Sequence, residues 1–310
     1  MSTATKLSRL WEKSPVLPFD DHSRIVLMSD CHRGIGNWGD NFLKNQNLYF
    51  AALRYYYEQG YIYIELGDGD ELWECRDLTQ IIDIHSNVFW LMSKFYYEHR
   101  FFMLYGNHDR VKQSPRYVGR TCSQYRCTDQ QCLAPLFPDI QVMEGLVLQY
   151  EPTKDKILLA HGHQGDWLND VLWKAARFLV RYVWKPVETA GVNDPTSAAK
   201  NYRKKNKTER RLVHWTQKSG NMLVAGHTHR PVLPKFGEPL YFNDGSCVHP
   251  RCITALELTG GKISLVKWSV KTRQDRSLYV GREVLDGPND LKKYFVQNVQ
   301  FSSKDDNTVA

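Results

Sequence analysis

The chain predicts an α/β fold organised around a largely parallel β-sheet, and three features of its 310 residues carry that prediction. Short apolar runs alternate with segments of helical periodicity from residue 24 to residue 105. Each of those runs stops at a polar or glycine-containing turn. Hydrophobic residues make up 42% and charged residues 24%, close to globular averages, which argues against disorder as the main state. The length suits one domain with insertions.

Residues 24–29, RIVLMS, read as a first strand ending at Asp30, followed by the polar turn HRGIGNWGDN. Residues 42–59 place apolar groups at Leu43, Leu48, Ala51, Ala52, Tyr55 and Tyr56, a helical spacing, and Gly60 stops that helix. YIYIEL, 61–66, is a strand; 78–98 is predicted helical; RFFMLY, 100–105, is a third strand. This alternation implies right-handed crossovers and parallel pairing. Ligands of such sheets gather beyond the carboxyl ends of the strands. There the chain carries Asp30, then Gly67-Asp68, then Gly106-Asn107-His108-Asp109.

The second half repeats the habit. ILLA, 157–160, ends at His161; MLVA, 222–225, ends at Gly226-His227-Thr228-His229; LYFN, 240–243, precedes Asp244-Gly245. CITALELTGGKISLVKW reads as a hairpin turning at Gly260-Gly261. Residues 301–310 are predicted to be a disordered tail.

Residues 164–220 are predicted to form an inserted helical cap. Within it Lys174, Arg177, Arg181 and Lys185 are spaced 3, 4 and 4 apart and share one helical stripe. Pro186 ends that helix. Trp167, Trp173 and Trp184 are expected in the cap core, and the run KNYRKKNKTERR, 200–211, as a solvated basic surface.

The formal charge of +7 and pI near 8.9 point to an anionic partner: a phosphate, a nucleic acid or an acidic lipid surface. No recognised nucleic-acid module is visible, so a stable nucleic-acid complex is not expected. There is no apolar run of signal-peptide length, and no stretch of the roughly 20 apolar residues a spanning helix needs. A cytoplasmic location is expected, with peripheral contact to an anionic membrane as an extension. Seven cysteines, an odd count, argue against a disulfide scaffold. Cys122, Cys127 and Cys132 recur every five residues, a looser spacing than structural zinc sites use.

Each polar motif is weak alone. Five in fixed order, each after a strand-like run, are far less accidental. Their residue types fit phosphate-ester hydrolysis. Two cations about 3.5–4 Å apart neutralise phosphate oxygens and acidify a water. A carboxylate can bridge them, and imidazoles and an amide complete the shells. Nitrogen and oxygen donors without thiolate suit Mn, Fe or Zn. Arg33, following the first motif, is a candidate phosphate contact; His163 is a candidate beside the ligands and for contact with substrate. Of Asp70 and Glu71, one is expected to orient a ligand histidine and the other to be solvated.

In these motifs — Asp30-Cys31-His32, Gly67-Asp68, Gly106-Asn107-His108-Asp109, His161 and Gly226-His227-Thr228-His229 — the chain resembles the calcineurin-like metallophosphoesterases over residues 24–255. That resemblance implies a four-layer α/β/β/α sandwich of two mixed sheets. It implies two divalent cations, Mn foremost: one held by Asp30, His32, Asp68 and His229, the other by Asp68, Asn107, His161 and His227. His108 would be the general acid, oriented by Asp109. A narrower resemblance, in LGDGDELWE at 66–74, GHTHRP at 226–231 and the basic insertion, is to UDP-2,3-diacylglucosamine diphosphatases. It implies a lipid-linked or nucleotide-sugar pyrophosphate substrate, with Lys174, Arg177 and Arg181 meeting its phosphates. The chain departs from those enzymes at His108 and His163, where they carry Arg and Asp. A phosphomonoesterase or protein phosphatase, and a non-catalytic scaffold, are the alternative readings.

Overall fold

The computed structural model describes residues 1–37, 39–127, 132–166 and 202–297. In chain order the named elements are α1 (Thr3–Lys13), β1 (Val16–Phe19), β2 (Arg24–Met28), α2 (Gln46–Glu58), β3 (Ile62–Glu65), α3 (Leu78–Ile84), α4 (Ser86–Tyr97), β4 (Phe101–Leu104), α5 (Pro115–Thr121), β5 (Gln124–Cys127), β6 (Cys132–Pro135), β7 (Val142–Met143), β8 (Gly145–Tyr150), β9 (Lys156–Ala160), α6 (Tyr202–Ser219), β10 (Met222–Ala225), β11 (Tyr241–Asn243), β12 (Cys252–Thr259), β13 (Lys262–Thr272) and β14 (Leu278–Asp290).

Seven strands form one sheet in the order β14-β13-β12-β2-β3-β4-β7, and five form another, β1-β8-β9-β10-β11. The segment β2-β3-β4-β7 is parallel, as the strand–helix alternation requires, and β12, β13 and β14 extend it antiparallel. In the second sheet β9, β10 and β11 run parallel while β8 pairs antiparallel with β9.

Strand period places the core. Along β2, Ile25 and Leu27 point between the two sheets, where they meet Leu148, Ile157, Leu159, Val224, Phe242 and Leu256. Val26 and Met28, on the other face, pack under Tyr49, Leu53 and Tyr56 of α2 and Phe89 and Met92 of α4. The outer face of the second sheet, through Val147, Leu158, Leu223 and Ala225, is covered by Leu7 of α1 and by Leu212 and Trp215 of α6. The result is helices, sheet, sheet, helices: the four-layer sandwich.

Two predicted elements differ in detail. The helix expected over 78–98 breaks at His85, a buried residue whose ring nitrogens contact Gln46 Oε1 at 2.9 Å and Asp40 Oδ2 at 3.0 Å. That anchoring holds His85 outside helical backbone geometry. The run 200–211 is solvated in part, with Lys207 and Arg210 exposed. From Tyr202 onward it is the first half of α6, with Thr208 and Glu209 buried. The end of the inserted segment thus belongs to the outer helical layer. The rest of the cap, including the tryptophans at 167, 173 and 184, lies outside the described residues, as does the tail 301–310. Among the described residues no helix is long and apolar enough to cross a membrane.

Candidate metal centre

The site forms where parallel strands stop and their backbones keep pairing for a few more residues. Asp30 N donates to Gly67 O (3.1 Å), His32 N to Asp68 O (2.9 Å) and Arg33 N to Gly69 O (3.0 Å). These bonds extend the β2–β3 ladder into the loops. They do so with Asp30, His32 and Asp68 at φ values of 53°, 48° and 50°, and across the site His227 and His229 stand at 65° and 55°. Left-handed backbone at a residue with a side chain costs on the order of 1 kcal/mol each. Five such residues in one place mark a site where the fold imposes geometry on the chain.

Two glycines are forced by the same crowding. A Cβ on Gly106 would lie 2.1 Å from Asp68 Oδ1, and one on Gly226 would lie 2.6 Å from Asp30 Oδ2.

Among the described residues the side chains converge in three groups whose ligand atoms lie within 4.8 Å of one another: Asp30, His32 and His229; Asp68, His161 and His227; and a third, sharing His32 with the first, of His32, Glu71 and His108. The first two hold the expected ligands. Asp68 stands between them, with Oδ2 3.1 Å from His161 Nε2 and 3.9 Å from His32 Nε2. Asn107 sits beside them, since its neighbour His108 donates N–H to Asp68 Oδ1 at 2.8 Å.

Several buried donor and acceptor atoms here make no hydrogen bond: Asp30 Oδ1, His32 Nε2, His161 Nε2 and both amide atoms of Asn107. Yet His229 Nε2 is only 3.0 Å from Asp30 Oδ1. Close approach without hydrogen-bond alignment, in groups that are costly to bury unpaired, fits side chains aimed at shared cations.

The far edges of the imidazoles are occupied. His161 Nδ1 donates to Leu66 O at 3.0 Å, and His32 Nδ1 lies 3.0 Å from Glu71 Oε2. A histidine with one nitrogen held by a carbonyl or carboxylate presents the other as a metal ligand. Burial opposes charging His161, but Asp68 and Asp30 raise its pKa to about 9. Burial likewise opposes ionising Asp68, but the charges of His161 and His108 hold it far below the carboxylate range. A field that concentrates protons on imidazoles also attracts divalent cations.

A model of the calcineurin-like phosphoesterase family matches residues 23–231, more than half of the chain. The chain belongs to this family. Ten chains among solved structures also match. One is the crystal structure of Chaetomium thermophilum Vps29, at 10% identity and a TM-score of 0.37, covering 86% of this chain and 96% of that one. This likeness is too distant to bear on activity. A comparison with curated proteins gives no match.

Within this calcineurin-like site, four expected roles change. His108 is not oriented by Asp109. Its Nδ1 lies 2.9 Å from Glu71 Oε1 and 2.7 Å from Oε2, and its ring stacks on Trp73 at 4.2 Å and 19°. Trp73 Nε1 in turn donates to Asn107 O at 2.7 Å. Asp109 instead binds the backbone, accepting from Gly106 N (2.7 Å), Gly69 N (3.2 Å) and Asp68 N (3.3 Å).

Arg33 does not face a substrate. It is fully buried, donating from Nε to Asp70 Oδ1 at 2.6 Å and through both terminal nitrogens to Glu65 at 2.8 and 2.9 Å. Asp70 is accordingly not solvated. It also meets buried Lys112 Nζ at 2.5 Å, and Lys112 reaches Asp109 Oδ2 at 3.0 Å. Burial pushes Asp70 up, but Arg33 and Lys112 hold it down to about 2.

His163 is fully enclosed rather than open to a substrate. Both its nitrogens lack hydrogen-bond partners, and its ring lies 5.6 Å from that of His161. Burial and then the nearby charges of His161 and His227 depress its pKa well below the usual value. Lys174, Arg177 and Arg181 lie outside the described residues.

Sequence reasoning assigned no role to Trp73, Lys112 or Glu65. Trp73 carried a signal within the motif LGDGDELWE, and Glu65 as a lone acid in the apolar run YIYIEL.

The Arg33 correction is directly testable. Removing one partner of a buried ionic network leaves uncompensated charge, so Arg33→Ala is expected to lower the unfolding free energy by about 3–5 kcal/mol in urea titrations. Unchanged unfolding together with a raised KM would return Arg33 to the substrate.

Proposed function

We propose that the protein hydrolyses a phosphodiester or pyrophosphate bond with two divalent cations, Mn2+ foremost and Fe or Zn compatible with the same donors. Asp30, His32, Asp68 and His229 would hold one; Asp68, Asn107, His161 and His227 would hold the other, with Asp68 shared. The observation that carries this reading is the set of buried, unbonded ligand atoms around Asp68. Bound there, the cations would supply charge neutralisation of the phosphate and a more acidic water.

The protein's own groups do the rest. His32 and His161 are fixed in orientation by Glu71 and the Leu66 carbonyl. His108, with Nδ1 engaged by Glu71 and its ring backed by Trp73, has Nε2 left to deliver a proton to the leaving oxygen. Burial opposes its protonation, but Glu71 and Asp68 raise its pKa overall. The ring is partly open to solvent, as a group that meets substrate must be.

A lipid-linked or nucleotide-sugar substrate within this class rests on sequence resemblance alone, through motifs such as LGDGDELWE. In that motif Asp70, Glu71 and Trp73 all serve the centre, through the buried network, the two histidines and the His108 stack. The basic stripe of Lys174, Arg177 and Arg181 would then meet phosphates or an anionic membrane.

Three outcomes are expected. Elemental analysis should find about two metal atoms per chain, as a dinuclear centre requires, and Asp68→Asn should lose metal and all hydrolysis of bis-p-nitrophenyl phosphate. Wild-type turnover by that variant would end the metal reading. His108→Ala should lower kcat about 10²–10⁴-fold on esters with poor leaving groups, and far less on p-nitrophenyl esters, whose leaving group needs no proton. Equal losses on both would remove the acid role. Finally, the protein should float with anionic vesicles at low salt, and reversing the charges of Lys174, Arg177 and Arg181 should abolish this. Failure to float would remove the membrane contact while leaving the hydrolysis intact.

A further inference from the structure

Ser29, the residue before Asp30, is bonded to two carboxyl groups at once. Its Oγ is 2.5 Å from Asp30 Oδ2 and 2.8 Å from Asp244 Oδ1, and all three residues are fully buried. A hydroxyl has one hydrogen. If both carboxyls were ionised, one of these contacts would set lone pair against lone pair. A second proton must sit on one of the two acids.

Asp30 is placed to be the anion. Its Oδ2 accepts a second bond from His227 N at 2.8 Å, and its Oδ1 faces His229 Nε2 at 3.0 Å and His32 Nε2 at 3.7 Å. Asp244 has weaker support, from the Ser29 contact and the charge of His161, outweighed by burial and the charge of Asp30. It forms no ion pair with any described residue, and its Oδ2 has no hydrogen-bond partner. A buried carboxylate in such surroundings would be an uncompensated charge; a neutral acid tolerates them far better.

We propose that Asp244 is a neutral carboxylic acid that donates to Ser29 Oγ, and through it acts as a positioning residue that keeps Asp30 with a single oxygen free for a cation. Burial and the charge of Asp30 raise the proton affinity of Asp244 well above that of an ordinary aspartate, in the same direction. With Ser29 receiving from Asp244, its own hydrogen must go to Asp30 Oδ2. That oxygen then holds two donors, and Oδ1 is the one left for coordination.

The backbone reinforces the arrangement. Asp244 N donates to Ala225 O at 3.1 Å, and Ser246 Oγ donates to the Asp30 carbonyl at 3.2 Å. The loop after β11 therefore grips Asp30 at both its side chain and its main chain. The inference rests on the reading of Asp30 as a metal ligand.

Calorimetric titration of the full-length protein with Mn2+ alone tests it, comparing wild type with Asp244→Asn, Asp244→Leu and Ser29→Ala. Asn is neutral, nearly isosteric and keeps a donor, so D244N should bind within about threefold of wild type at both sites. D244L and S29A should weaken one site about 10–100-fold, the range for partners behind a ligand, and leave the other unchanged. The infrared spectrum of wild type should show a protonated-carboxyl C=O stretch that D244N lacks. If D244N weakens binding as much as D244L, Asp244 acts as an anion and the proposal is wrong. If neither D244L nor S29A changes either site, positioning is excluded. Should D244L not fold, the D244N and S29A comparisons decide alone. If wild type itself binds no Mn2+, the metal reading falls first and this inference with it, an outcome distinct from the variant-specific failures.

Discussion

Burying an ionised Asp68 costs several kcal/mol, and much of the surrounding structure can be understood as offsetting that cost. His161 approaches Oδ2 and the His108 amide binds Oδ1. Asp109 fixes the backbone on either side by accepting from Asp68 N and Gly69 N. Asp109 is itself a buried acid, stabilised by Lys112, and Lys112 is shared with Asp70, which is shared with Arg33. Arg33 ends on Glu65, whose second partner is the Tyr63 hydroxyl at 3.0 Å. The charge at the centre is thus connected through alternating acids and bases to the hydrophobic layer beneath α2 and α4. Breaking the chain at one link leaves its neighbours unpaired, which is why a residue with no route to substrate can matter to the site.

The strained backbone and the network serve each other. Left-handed conformations at Asp30, His32 and Asp68 persist because the bonds between the β2 and β3 loops leave no other course. The loop after β4 can approach Asp68, and the loop after β10 can approach Asp30, so closely only because Gly106 and Gly226 have no Cβ. Ligand placement is therefore a property of paired loops rather than of single rotamers. Glu71 adds rigidity by holding His32 and His108 with one carboxylate.

The parallel strands and the polar residues at their ends were legible in the sequence because both are local. An apolar run and the residue that follows it are adjacent in the chain. Arg33 was misread because its partners Glu65 and Asp70 are 32 and 37 positions away, and nothing near Arg33 announces a buried ion pair. Asp109 was misassigned for a related reason. Adjacency to His108 suggested contact, whereas the side chain turns back toward Gly106 and Lys112, leaving Glu71, 37 positions away, to reach the imidazole. The basic run at 200–211 looked solvated by composition, but burial in α6 is decided at Thr208, Glu209 and Leu212, against a helix near the N-terminus that no motif signalled. Glu209 also accepts from Thr228, between two candidate ligands, so this helix supports the centre as well as the sheet.

Charge balance links these observations to the cations proposed above. The hydrogen-bonded cluster around Asp30 and Asp68 contains the acids Asp30, Glu65, Asp68, Asp70, Glu71 and Asp109, all buried, and the bases Arg33 and Lys112. With the ligand histidines neutral, as ligation demands, six carboxylates still outnumber Arg33, Lys112 and a proton-bearing His108. An excess of that sign suits the divalent cations proposed for the site. An ionised Asp244 would add a further buried negative charge, with no ion pair to any described residue. Its proton on Ser29 and the pairing of ions around Asp68 are thus two parts of one electrostatic requirement.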